Sequence, residues 1–165
     1  MAAADKTAAD KTAADKTAAA DKMTRLLLIG VCGKMGSGKS EVSAYLSRFG
    51  LRQRAFAYYI RDVVGMITGV PRERTVTAED KQRVVALPVY LGRRIEQAVE
   101  FMVRKGRLEM SLGAQKTAAT SIEGTLREAA AAGALTVGRL LQLVGTECFR
   151  KHIHEDIWVR ALLAT

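Results

Sequence analysis

At 165 residues with 48% hydrophobic content, the chain has room for one domain and enough apolar side chains for a core. A formal charge of +9 suits polyanionic ligands, nucleotides first; aromatic residues are only 5% of the chain and form no basic–aromatic motif, so nucleic acid is not the expected partner. No run approaches the ~18 apolar residues of a membrane span and no secretory leader is evident, while Cys32 and Cys148, far apart and without metal spacing, read as reduced, buried thiols of a cytoplasmic protein.

Residues 1–22 repeat Ala-Ala-Asp-Lys-Thr almost without change. The charges of this tract cancel, it has no large apolar side chain to bury, and a five-residue repeat defines no helical face. It is expected to be a disordered or partly helical extension, with the folded domain spanning 23–165.

An apolar run, Leu26-Leu27-Leu28-Ile29-Gly30-Val31-Cys32, predicts a central strand of a parallel sheet. It feeds directly into Gly33-Lys34-Met35-Gly36-Ser37-Gly38-Lys39-Ser40, which reads G-x-x-x-x-G-K-S without deviation. A helical segment from Ser40 to Phe49 comes next, closed by Gly50. Strand, glycine loop and helix are the context of a phosphate-binding loop. The glycines let backbone N–H groups converge on an oxyanion, and the helix start adds partial positive charge. Lys39 is expected at the β- and γ-phosphates of ATP, and the Ser40 hydroxyl at Mg²⁺.

Farther on, Leu51–Ala57 reads as a short second strand. Tyr58–Ile67 is helical in pattern, stopped by Gly69 with Pro71 beyond. Thr77-Ala78-Glu79-Asp80 is a helix start, and Pro88 separates it from the next helix. From Val89 to Leu112, Ile95, Val99, Met102, Val103 and Leu108 recur at helical spacing. Residues 113–135, rich in Ala, Gly and Thr, predict a variable insertion with a short helix at 122–132. Thr136 opens another helix running to Arg150, and the pattern from Lys151 to Thr165 is again helical. His152 and His154, two apart, suit no helical metal pair. Arg72, Arg74, Arg93, Arg94 and Asp80 are read as solvated surface residues before substrate contacts.

The run from Leu135 to Glu147 contains Arg139, then Leu140-Leu141-Gln142-Leu143-Val144-Gly145-Thr146-Glu147, with Trp158-Val159 downstream. Together with the glycine loop, these residues resemble the deoxynucleoside monophosphate kinases of bacteriophages and large DNA viruses. Phe56-Ala57 before a helix fits the same family, although Tyr59 stands where the family places proline. The resemblance covers about 23–70 and 135–165. It implies a three-layer α/β/α P-loop kinase fold with a parallel sheet, and Mg·ATP-dependent phosphorylation of a deoxynucleoside monophosphate. It also implies the host cytoplasm as the compartment of a viral chain. Arg139, Gln142 and Thr146 then share a helix face at the acceptor pocket, where arginine can grip phosphate bidentately, with Trp158 at the base or in the core.

The family continues beyond this point into a strand bearing Asp and Arg, and a doubly wound kinase needs about five strands, so the sheet is expected to be incomplete and the fold helix-rich. Unpaired apolar surface then predicts marginal stability, completion by a partner, or a homodimer. Three alternatives stand beside the kinase: a truncated ATP-binding relic, a basic binding module, and another small-molecule P-loop kinase resembling dephospho-coenzyme A kinase.

Overall fold

The computed structural model describes residues 27–34 and 37–164; the repeat at 1–22 lies outside them. The chain divides into two compact units, Met1–Arg52 and Gln53–Thr165.

In the first unit, residues 27–34 run as coil into α1 (Lys39–Ser47). Of the strand expected at 26–32, residues 27–32 are described and are coil; the one expected at 51–57 does not form, the chain being coil to residue 55 and then turning into a helix. Of the described residues 65% are helical and none lies in a strand, so the parallel-sheet α/β architecture is not what this chain builds. The physical reason is pairing. A central parallel strand must hand its N–H and C=O groups to neighbours on both sides, and among the described residues none is paired with this segment. Its side chains remain in solvent, Leu27 at 67% and Leu28 at 66% exposure. Cys32, expected to be buried, is exposed with them.

The second unit is a helical assembly built from apolar stripes. In α2 (Ala57–Thr68), Tyr59, Val63, Val64 and Ile67 fall on one buried face. Gly69 ends the helix at φ 80°, a left-handed conformation that glycine adopts at no steric cost, as its punctuation predicts. A 3₁₀ turn (Arg72–Thr75) leads to α3 (Ala78–Gln82), whose start is fixed by Thr77: the hydroxyl accepts from the Asp80 N–H at 3.0 Å and donates to the Asp80 carboxylate at 2.8 Å. In α4 (Leu91–Lys105), Leu91, Ile95, Ala98, Val99, Met102 and Val103 form an unbroken buried stripe. Leu108 lies past its end and is half-buried.

The insertion expected at 113–135 is instead α5 (Leu112–Ala131), the longest described helix, which packs along α4. Its buried side chains are Ala118, Ala119, Ile122 and Leu126, and Ser111 caps it by accepting from the Ala114 N–H. Alanine has the highest helix propensity, so a shallow apolar stripe suffices once a partner helix is alongside.

A short antiparallel contact, Val84 with Thr136, then brings the chain back: the Val85 N–H reaches the Leu135 carbonyl at 2.8 Å and the Val137 N–H the Arg83 carbonyl at 2.9 Å. From there one helix continues with a change of winding: α6 (Val137–Gln142), a π segment (Leu143–Cys148) and α7 (Phe149–His152). After a turn at 153–156, α8 (Ile157–Leu163) closes the core with Ile157, Trp158 and Ala161. Among the described residues no helix is long and apolar enough to cross a membrane.

Thr136 caps α6 by accepting from the Arg139 N–H at 3.2 Å. Thr136→Ala is expected to lower stability by about 1 kcal/mol, and Thr136→Ser to recover most of it. Urea unfolding followed by far-ultraviolet circular dichroism checks this; equal midpoints for alanine and wild type would refute the capping role.

Candidate functional site

Gly38 stands at φ 76° immediately before α1, the left-handed conformation that turns the chain from the loop into the helix axis. The Glu41 and Val42 N–H groups both reach its carbonyl at 3.1 Å, starting the helix. The Ser37 N–H closes onto the Lys34 carbonyl at 3.2 Å. Lys39, the first residue of α1, folds back over the loop. Its ammonium donates to the Lys34 carbonyl and, at 3.3 Å, to the Ser37 hydroxyl. Ser40 stands in the same first turn. Of the expected ATP-binding residues, Met35 and Gly36 lie outside the described residues; Gly33, Lys34, Ser37, Gly38, Lys39 and Ser40 are described.

Chemically, this places a cation-bearing and a hydroxyl-bearing residue at consecutive positions of a helix start. A hard divalent cation takes oxygen ligands and keeps several waters, so one serine hydroxyl fits Mg²⁺ arriving on nucleotide phosphates. Among the described residues no three His, Cys, Asp or Glu side chains converge as a metal site of their own.

The residues expected at the acceptor separate into two sets in the second unit. Arg139, Gln142 and Thr146 lie on one stretch of helix, away from the core. Arg139 donates to the Gln142 side-chain oxygen at 3.3 Å and pairs with Glu147 at 3.8 Å. The Thr146 hydroxyl donates to the Gln142 backbone carbonyl at 2.7 Å, four residues back along the helix. Trp158 is on the other side, 5% exposed, in the core. Its indole N–H donates to the Gly145 carbonyl at 2.8 Å and its ring lies 5.5 Å from that of Phe149.

These contacts explain the π segment. The Phe149 N–H reaches back to the Val144 carbonyl, five residues, and the Gly145 carbonyl is held by Trp158. A side chain at Gly145 would meet Ile60 of α2 at 3.1 Å, so glycine allows that close approach. Gly145 and Trp158, two of the most specific residues of the resemblance, are thus partners in one hydrogen bond.

A groove of about 350 Å³ opens beside Gln142, between α2, α3 and α6. Ala57, Ile60 and Arg61 line it from α2, Lys81 from α3, and Leu141 and Gln142 from α6. Arg61 and Lys81 carry no motif and were not singled out by the sequence; only their surface placement brings them together. Of the other charged candidates, Arg72 is bound to Asp62 and lies 5.0 Å from the Tyr58 ring centre, and Asp80 is occupied in the α3 cap.

The histidines take local roles. The His154 ring accepts from the Asp156 N–H at 3.0 Å, and burial, followed by the Lys151 charge, lowers the His152 pKa below its usual value. Burial, with the Glu147 charge second, pushes the Cys148 thiol up to about 12, leaving it protonated and unreactive at neutral pH.

No family model, curated protein or solved structure matches the chain.

Proposed function

We propose that the chain binds Mg·ATP through Gly33–Ser40 and transfers the γ-phosphoryl group to a deoxynucleoside monophosphate. The observation that carries this reading is the loop itself: a G-x-x-x-x-G-K-S turn ending at left-handed Gly38, with Lys39 curled over it and Ser40 in the first helical turn. A triphosphate entering the loop offers Lys39 anionic oxygens in place of a neutral carbonyl and hydroxyl, a stronger, charge-assisted exchange.

In the transfer, an oxygen of the acceptor phosphate forms a bond to the γ-phosphorus while the bond from that phosphorus to the β,γ-bridging oxygen breaks. The bridging electron pair leaves with ADP, and the deoxynucleoside diphosphate is the other product. Such reactions need positioning and charge neutralisation more than covalent help. Lys39 supplies charge on the donor side; Ser40 orients Mg²⁺ when it is bound. On the acceptor side the resemblance nominates Arg139 and Gln142, with Thr146 beside them and Trp158 supporting the helix from beneath. A homodimer, should the exposed apolar run pair with a second copy, is part of the same proposal.

A second reading, ATP binding without transfer, draws on the correction to the fold: the apolar segment that should anchor the loop in a sheet is exposed. A screen with γ-labelled ATP against the four deoxynucleoside monophosphates and dephospho-coenzyme A separates the readings. Label in a deoxynucleoside diphosphate is the expected result. ATP binding with no labelled acceptor supports the second reading, and label in another acceptor points to a different kinase. Absence of ATP binding overturns both nucleotide readings and leaves a basic binding module, recognised by steeply salt-dependent nucleic-acid binding.

A further inference from the structure

We propose that the groove between α2, α3 and α6 binds the phosphate of a nucleoside monophosphate, and that Arg61 and Lys81 are the groups that grip it. The proposal deepens the kinase reading and rests on it only for the name acceptor.

Charge balance in the groove is the first support. Its lining holds two cations, Arg61 and Lys81, and the amide of Gln142, with no carboxylate. Neither cation forms an ion pair with another described residue, whereas Arg139 is engaged by Glu147. Two cations facing one cleft without a counter-charge repel each other, and a phosphate monoester dianion neutralises both. Arginine offers it a planar fork and lysine a mobile point charge.

Size and polarity are the second. About 350 Å³ is at the small end of ligand pockets, suited to a mononucleotide rather than a polymer. Ala57, Ile60 and Leu141 give an apolar wall for a base or sugar, and the Gln142 amide both donates and accepts hydrogen bonds. Gly138 keeps the groove tight: a side chain there would meet the Lys81 backbone carbonyl at 3.1 Å, so α3 and α6 touch at its base.

The neighbouring groove gives the contrast. It is larger, about 490 Å³, and also borders Arg61, but its lining includes Asp62 bound to Arg72. A phosphate there would meet a carboxylate and compete for an arginine already paired. The smaller groove is the phosphate site.

Titration calorimetry of the full chain with thymidine monophosphate, and with inorganic phosphate as competitor, tests the assignment. Saturable binding is expected, displaced by phosphate and weakened on the order of tenfold or more by each of Arg61→Gln and Lys81→Gln. Arg61→Lys should recover part of the loss. Should Arg61→Gln fail to fold by circular dichroism, Lys81→Gln decides alone, because Lys81 is half-exposed at the end of a short helix. No saturable binding by wild type, or wild-type binding by every folded variant, overturns the proposal; so does a loss confined to Arg139→Gln. ATP titration of wild type and Lys39→Ala runs in parallel. Monophosphate binding that needs Arg61 and Lys81, with no ATP binding, would keep the groove and remove the kinase.

Discussion

Trp158→Ala is expected to lower the stability of the second unit by about 3–5 kcal/mol, a large share of what a domain of this size holds in reserve. Two losses combine. The ring is 5% exposed and sits against Phe149, itself fully buried, so truncation leaves a cavity that neighbouring helices fill only partly. The Gly145 carbonyl, in a buried stretch of backbone, also loses the donor that holds it. Trp158→Phe separates the two, keeping most of the volume while removing the N–H, and is expected to cost about 1–3 kcal/mol. Urea unfolding followed by far-ultraviolet circular dichroism gives both values. An alanine variant with the wild-type midpoint would show that Trp158 does not support the π segment. If the acceptor reading holds, Trp158→Phe should also weaken monophosphate binding through displaced Gln142.

Lys39→Ala is expected to weaken ATP binding on the order of tenfold to a hundredfold, the range for a lost charge-assisted hydrogen bond. The thermal midpoint should stay unchanged, because the contacts of Lys39 are made to its own loop, at the Lys34 carbonyl and Ser37 hydroxyl. A binding isotherm with a fluorescent ATP analogue, paired with a melting curve, reads both. Equal affinity in wild type and variant would show that the loop is not a phosphate site. A fall in midpoint accompanying the fall in affinity would assign Lys39 to folding. In the labelled-ATP assay the loss should be larger still, since the lysine faces charge that grows on the transferring group.

The parts of the fold legible in the sequence are those decided within a few residues. Thr77, Thr136 and Gly69 mark helix ends because the groups they satisfy lie within one turn, and each does so in the structure. The α4 stripe is legible because large apolar residues repeat at the helical period. The strand at 26–32 is not, because seven apolar residues are strand-like only when other strands lie beside them. The first half of helix α5 escapes for the opposite reason: ahead of Ile122 and Leu126 its buried face is only Ala118 and Ala119, which register weakly as hydrophobic yet pack closely. At the candidate site, the loop can be found from glycine and lysine spacing alone. Arg61 and Lys81, twenty residues apart and without a motif, become neighbours only through the packing of three helices.

The π segment has a consequence for the phase of the helix that carries it. Gln142 and Phe149 are seven residues apart, two turns of an α-helix, and in an unbroken one they would share a face. Here Gln142 is in solvent and Phe149 is fully buried. Wider winding between them accounts for the difference, because one residue more or less rotates the downstream turns by about 100°. The stretch from Val137 to His152 thus behaves as two amphipathic half-helices set out of step, one offering Arg139 and Gln142 outward, the other turning Cys148 and Phe149 inward. The wider winding absorbs one residue: deleting one between Leu143 and Cys148 would leave a plain α-helix with the groove residue and the core aromatic six positions apart, still about 120° from each other, whereas straightening the segment at its present length would bring both to one side.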